Sequence, residues 1–134
     1  DFFHLPKGLP ALIMAEETQK KAAKVGFDWN GYEGPLAKIH EELAEVEQEI
    51  GDHQRVEDEL GDLLFSIVNL SRFLGVNAEE SLGRSSRKFQ QRFQSMLMRI
   101  RKERLEIGQL TLDEMDFYWN QVKNAEKNGT FGLF

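Results

Sequence analysis

The stretch PLAKIHEELAEVEQEIGDHQRVEDELGDLLFSIVNLSRFL, residues 35–74, decides the fold, because two helical patterns follow one another within it. In the first pattern apolar residues recur at intervals of 3 or 4, and they are Leu36, Ile39, Leu43, Val46 and Ile50. The second pattern has the same intervals and contains Val56, Leu60, Leu63, Ile67, Leu70 and Leu74. Such intervals place the side chains of each apolar row on one face of a helix. The stretch therefore predicts two consecutive amphipathic helices.

Acidic side chains accompany both apolar rows. Each of them stands one residue before a member of its row, and they are Glu42, Glu45 and Glu49 in the first helix and Glu59 and Asp62 in the second. We therefore expect these carboxylates along one flank of each row, at the edge of the core. Gly51 is a plausible C-cap, and the short link around it implies an antiparallel helix pair.

The antiparallel pairing predicts that acids of the two helices meet. Glu42 and Glu45 should then face Glu59 and Asp62 across the pair. Four converging carboxylates repel one another, which raises their pKa values unless cations are present. Ligand sets made only of oxygen suit a hard divalent ion, Mg²⁺ or Mn²⁺.

Three further helices are expected outside this pair. They are predicted at about Leu9–Val25, after a capping box of Asn77 with Glu80, and from a capping box at Thr111 to about Lys127. No strand pattern is found, so the sequence predicts an all-α, antiparallel bundle of about five helices. We expect one domain over residues 1–134, with helices between about 9 and 127 and a tail over 128–134.

The third helix is apolar on more than one face between Leu63 and Leu70. A helix of this kind is central to a bundle or lies in a subunit interface. We expect a dimer interface, because a domain of this size has few elements that could cover the helix.

The segment Gly26-Phe27-Asp28-Trp29-Asn30-Gly31 is a turn-rich loop with two large aromatic rings. The rings either fill the core or form the wall of a ligand pocket near the next helix, and the sequence leaves both alternatives open.

Composition limits the function classes. The chain has no cysteine, which excludes disulfides and thiolate metal sites and favours an intracellular, cytoplasmic setting. Its net charge of −6 argues against nucleic acid as a partner. No apolar run approaches the ~20 residues that a membrane span needs, and the first residues carry no signal-peptide pattern.

Basic residues on the later helices have an ordinary and a functional interpretation. Lys88 and Arg92 lie one turn apart and follow the same flank as the acids, so they are either solvated or opposite a polyphosphate bound at the acids. Trp119 and Lys123 share a face of the last helix, where the indole either belongs to the core or stacks on a base. Di-iron sites with Glu-x-x-His and phosphate-binding P-loops are excluded, because neither pattern occurs.

The run Glu41-Glu42-Leu43-Ala44-Glu45, 13 further residues, and then Glu59-Leu60-Gly61-Asp62 resembles the EExxE…ExxD signature of MazG nucleoside triphosphate pyrophosphohydrolases. The resemblance extends to Val25-Gly26-Phe27-Asp28-Trp29 and to Lys88-Phe89-Gln90-Gln91-Arg92-Phe93. It covers about residues 9–127. Within the family, the chain resembles the C-terminal catalytic domain of two-domain MazG proteins.

The resemblance implies metal-dependent cleavage of nucleoside triphosphates between the α- and β-phosphates, giving a monophosphate and pyrophosphate. By matching positions it makes Glu42, Glu45, Glu59 and Asp62 ligands of Mg²⁺, and Glu41 a residue that positions or deprotonates the attacking water or helps to bind a further ion. It also implies phosphate contacts from Lys38, Arg55, Lys88, Arg92 and Lys123, a nucleoside contact from Trp119, and a homodimer. The alternatives are a related all-α dUTP or dCTP pyrophosphatase and a non-catalytic helical dimerisation module.

Overall fold

The computed structural model describes residues 1–129, which contain five α-helices and no strand. The helices are α1 (Ala11–Lys24), α2 (Glu33–Glu49), α3 (His53–Phe73), α4 (Ala78–Lys102) and α5 (Leu112–Lys127), with a short 3-10 turn before α5. The prediction of an all-α fold is confirmed for this part of the chain. Residues 130–134 of the predicted tail lie outside the described residues.

Glycine and capping residues set the helix ends. Gly26 and Gly51 have φ of +92° and +110° directly after α1 and α2, in the left-handed region that glycine enters without a steric cost. Asp52 accepts a hydrogen bond from the Arg55 amide at 3.2 Å, so α3 begins at His53, three residues before Val56, the first member of its apolar row. The capping box predicted at Thr111 is confirmed.

The chain divides into two compact units, residues 1–82 and residues from 83 onward, and α4 begins in the first and continues in the second. The single domain over residues 1–134 stays a prediction.

In the first unit, α2 and α3 form an antiparallel pair. Glu45 is hydrogen-bonded to Glu59, and Glu42 lies beside Asp62. One turn before Glu42 and one turn after Asp62, Lys38 and Ser66 line the same cavity. Residues later in α2 therefore lie beside residues earlier in α3, as the antiparallel register requires. α1 packs on α3, and Gln19 Nε2 donates a hydrogen bond to the Phe65 carbonyl oxygen at 2.9 Å.

The expectation that the acids lie only at the edge of the core is wrong for Glu42, whose side chain is buried while the apolar rows are partly exposed. Glu42 is 4% exposed, whereas the row members Leu43 on α2 and Leu60 on α3 are each 44% exposed. The intervals correctly identify which residues share a helix face, but the face that α2 turns inward includes Pro35 and Glu42. Sequence periodicity does not define the rotation of a helix about its own axis.

In the second unit, α4 and α5 share a small core. Its buried members are Met96, Ile100, Tyr118 and Val122. Tyr118 donates a hydrogen bond to Glu103, and Arg99 donates one to Gln121 at 3.2 Å.

Among residues 1–129, every helix is too short or too polar to cross a membrane.

Candidate metal centre

Five carboxylates meet where the second half of α2 passes the first half of α3. Oxygen atoms of Glu42, Glu59 and Asp62 lie within 4.8 Å of one another, and so do oxygen atoms of Glu41, Glu42 and Glu45. Glu42 belongs to both groups. The convergence follows from the spacing, because residues three apart lie on the same side of a helix and the antiparallel register places the two pairs opposite each other.

The cluster carries more negative charge than it can hold without protons or cations. A hydrogen bond with Glu45, partial desolvation, and the charges of Glu45, Glu42 and Asp62 together raise the pKa of Glu59 to about 7. The raised pKa of Glu59 shows that the cluster favours a bound proton or cation.

Two oxygen atoms of the cluster lack a partner. The Oε2 atoms of Glu42 and Glu59 are buried and accept no hydrogen bond from any residue between 1 and 129. A buried acceptor without a partner is costly, and it is most costly on a charged group. Carboxylate oxygens are the ligands that hard divalent ions prefer, so the donor set fits Mg²⁺ or Mn²⁺.

Lys38 is the basic residue that the structure brings to the cluster. Its Nζ atom lies 3.1 Å from Glu42 Oε1 and 3.3 Å from Glu41 Oε1. The hydrogen bonds with Glu42 and then with Glu41 raise the pKa of Lys38 above its ordinary value. Lys38 balances one negative charge, so most of the charge of the cluster remains for a cation.

Arg55 lies at the link between α2 and α3. Its guanidinium is 3.7 Å from Glu49 Oε2 and 3.6 Å from Asp52 Oδ2, and its side chain is largely exposed. The chain thus holds Arg55 near the beginning of α3, with its donors open to solvent.

The remaining predicted binding residues belong to the second unit. Arg92 forms an ion pair with Glu126, with Nη2 2.8 Å from Oε2, while Lys88 and Lys123 are exposed. Trp119 packs against the core of this unit, and its ring lies 5.2 Å from that of Phe89. These contacts support the core interpretation of Trp119. The position of Lys88 and Arg92 opposite the acids stays a prediction.

The first unit contains a cavity lined by the aromatic loop before α2. Its volume is about 600 Å³, and its lining includes Gln19, Phe27, Trp29, Lys38, Ser66 and Asn69. Phe27 and Trp29 are exposed rather than packed in the core, which agrees with the pocket-wall alternative. The loop aromatics indicated this pocket in the sequence, whereas no sequence pattern indicated that Gln19 would be buried.

Comparison with known proteins identifies the family. The family described as the MazG nucleotide pyrophosphohydrolase domain matches residues 31–97, which include the five acids, Lys38, Arg55, Lys88 and Arg92. The nucleoside triphosphate pyrophosphohydrolase/pyrophosphatase MazG of Thermotoga maritima is 46% identical over 119 residues, which are 89% of this chain and 46% of that protein.

The nucleoside triphosphate pyrophosphohydrolase of Escherichia coli K12 is 40% identical over 126 residues, which are 91% of this chain and 48% of that protein. The chain thus spans about half the length of the curated relatives that it matches. The resemblance inferred from the acidic motifs is confirmed, and the chain belongs to the MazG nucleotide pyrophosphohydrolase domain family.

Proposed function

We propose that this chain carries the catalytic site of a metal-dependent nucleoside triphosphate pyrophosphohydrolase. Water would add across the anhydride between the α- and β-phosphates of an NTP or dNTP: its oxygen bonds to phosphorus, the bridging P–O bond breaks, and a monophosphate and pyrophosphate leave. The observation that carries the proposal is the convergence of Glu42, Glu59 and Asp62 from two helices, with two buried oxygen atoms unpaired.

The proposed ligands of the metal are Glu42, Glu45, Glu59 and Asp62, and Mg²⁺ is the proposed ion, with Mn²⁺ as a substitute. When bound, such an ion neutralises phosphate charge and lowers the pKa of water. Glu41 is exposed beside the cluster, where it would orient the attacking water and accept its proton, or help to hold a further ion. Lys38 would keep Glu41 and Glu42 in place and donate to a phosphate oxygen.

Other basic residues are proposed to contact the phosphates, and they are Arg55, Lys88, Arg92 and Lys123. The exposure of Arg55, Lys88 and Lys123 supports this role, because their donors are accessible to a ligand. Arg92 would have to share its donors between Glu126 and a phosphate. The nucleoside contact of Trp119 also stays a prediction; the family match ends before Trp119 and Lys123.

A homodimer is proposed to cover the partly exposed apolar rows of α2 and α3. In these rows Leu36, Leu43, Leu60 and Ile67 are each at least 39% exposed, and Leu64, which follows row member Leu63 on α3, is 50% exposed. Monomeric proteins rarely leave contiguous apolar surface of this kind in water. A second copy is the occupant we favour, since a twofold axis would let one apolar surface cover itself. We also propose that the protein is located in the cytoplasm.

A product-resolved assay over the common NTPs and dNTPs tests the activity. We expect equimolar monophosphate and pyrophosphate with Mg²⁺ and no product in EDTA. Glu47→Gln, an exposed position on α2 near the ligands, is the matched control and should retain activity. Release of orthophosphate and a diphosphate would contradict the proposed bond.

Two alternatives remain, and both can be tested. Turnover confined to dUTP or dCTP would indicate a related, narrower all-α pyrophosphatase. A silent dimerisation module would show no rise in melting temperature with Mg²⁺ and a non-hydrolysable nucleotide, whereas a metal centre gains stability from ligands that bind the folded state.

A further inference from the structure

Arg92 on α4 and Glu126 on α5 form a close ion pair within the second unit. Arg92 Nε donates to Glu126 Oε1 at 3.0 Å and to Oε2 at 2.8 Å, and Nη2 lies 2.8 Å from Oε2. Contacts of a carboxylate with two nitrogens of one guanidinium define an orientation as well as a distance. Glu126 therefore fixes the plane of the Arg92 guanidinium.

The pair occupies one edge of the guanidinium and leaves a second edge open. All N–H donors of arginine lie in one plane, and Glu126 lies at the edge that Nε and Nη2 form. No residue between 1 and 129 accepts a hydrogen bond from Nη1, and each side chain of the pair is 23% exposed. The edge that Nη1 and Nη2 form thus remains for a second acceptor. Arginine uses such an edge to bind two oxygen atoms of one phosphate.

The neighbouring charges make an anion the favoured acceptor. Lys88 lies one turn before Arg92 on α4, and Lys123 lies one turn before Glu126 on α5, and both lysines are exposed. With one carboxylate against three cations, this group of side chains keeps a surplus of positive charge. The charge of Glu126 by itself weakens the attraction of a phosphate to this group, so a contribution of Glu126 to binding has to come from the geometry it imposes on Arg92.

The ion pair also has a structural part. Arg92 is one turn before the buried Met96, and Glu126 is one turn after the buried Val122, so the pair connects α4 to α5 next to their shared core. A connection between helices acts on the free energy of unfolding. An arginine that is already held acts on binding, because its long side chain has less freedom left to lose when a ligand arrives. The two effects can be measured separately.

We propose that Glu126 is a positioning residue, which holds the Arg92 guanidinium so that its open edge binds a phosphate of the nucleoside triphosphate. Glu126 acts through the arginine and contacts no atom of the substrate. The inference rests on the proposed function and deepens it, because it assigns a role to a residue beyond the family match, which ends at residue 97.

Steady-state kinetics of Glu126→Gln tests the role by the sign of the effect. The variant removes a negative charge, so charge alone would lower KM for nucleoside triphosphates. Loss of positioning should instead raise KM about tenfold, the effect of one charge-assisted hydrogen bond, while kcat stays within about twofold, as it does when uniform binding is lost. Asp116→Asn removes an exposed carboxylate from the same helix and is the matched control. A KM that falls or stays the same, or a loss confined to kcat, would overturn the proposal.

A double-mutant cycle tests whether Glu126 acts through Arg92. Arg92→Gln should itself raise KM, and adding Glu126→Gln should then leave KM unchanged, because no arginine remains to be positioned. The same rise in KM with and without Arg92 would overturn the proposal, and melting temperatures of all variants measure the structural part. Should Glu126→Gln fail to fold, Glu126→Asp carries the test. It keeps the charge but withdraws it by one methylene, so it should raise KM about threefold, and an unchanged KM would contradict the positioning role.

Equilibrium dialysis separates this inference from the proposed activity. The probes are the α,β-methylene analogues of ATP, GTP, CTP and UTP with Mg²⁺, because the bond between their α- and β-phosphorus atoms resists hydrolysis. Glu126→Gln should weaken the binding of the best probe about tenfold, and Asp116→Asn should not. Weakened binding without pyrophosphate release by the wild type would refute the activity and leave the positioning role standing, whereas release with unchanged binding would do the reverse. A wild-type protein that neither binds a probe nor releases pyrophosphate would refute both.

Discussion

Lys38 Nζ lies 3.1 Å from the buried Glu42 Oε1, and the same lysine lines the neighbouring cavity. One side chain therefore connects the candidate metal centre with the cavity of the first unit. Because it neutralises the most deeply buried acid of the cluster, it affects both stability and binding.

Lys38→Met should destabilise the metal-free protein by about 1 kcal/mol, because it leaves Glu42 without its cation while the partial exposure of Lys38 limits the loss. Thermal melting in EDTA measures the effect, and saturating Mg²⁺ should diminish it. Lys20→Met, which removes exposed ion pairs on α1, is the control and should change little. Equal melting temperatures of Lys38→Met and wild type in EDTA would contradict the expectation.

Glu45→Gln and Asp62→Asn should lower kcat/KM by about a hundredfold or more, since mutations in the outer shell of a metal site alone cost up to that factor. Both variants should be as stable as wild type or more stable in EDTA, because each removes like-charge repulsion. Pyrophosphate release and melting are measured together, with Glu47→Gln as control. Wild-type turnover in either variant would mean that its side chain is not an essential ligand.

The metal-free protein should lose stability as pH rises from about 5 to about 8. The pKa of Glu59 is raised from an ordinary 4.5 to about 7 in the folded state, so its stabilising contribution is complete below the unfolded value and is lost as pH passes the folded one. Melting curves in EDTA across this range should slope less for Glu59→Gln than for wild type. Asp58→Asn, at the exposed adjacent position, is the control; identical slopes for Glu59→Gln and wild type would refute the prediction.

Gly34→Ala should displace the Trp29 indole, because the added Cβ would lie 2.3 Å from it. The expected result is a changed tryptophan emission spectrum. Gly108→Ala meets no atom within 4 Å and serves as the control. An unchanged spectrum would show that the indole and helix α2 are not in fixed contact.

Leu64→Glu should convert the proposed dimer to monomers, because a charge would be buried in the apolar contact. Light scattering after size-exclusion chromatography measures the mass. Leu112→Glu changes a more exposed leucine of α5 and should leave the mass unaltered. A monomeric wild-type protein would refute the dimer directly.

The candidate metal centre was largely predictable from the residues alone. Acids three apart on each of two helices, joined by a link short enough to force an antiparallel pair, had to place Glu42 and Glu45 near Glu59 and Asp62. Spacing along a helix and chain connectivity are local properties, and local properties can be read from a sequence. The capping box at Thr111 was predictable for the same reason.

Only the tertiary structure decided the rotation of α2, which buries Glu42 and leaves Leu43 partly exposed. It also decided that Gln19 would meet the Phe65 carbonyl group, and that α1 and the Trp29 loop would enclose a cavity next to Lys38. The amino-acid sequence determined which side chains share a helix face, because the helical repeat does so. The packing of helices far apart in the chain determined what each face meets, because the free energy of burying a face depends on all its neighbours together.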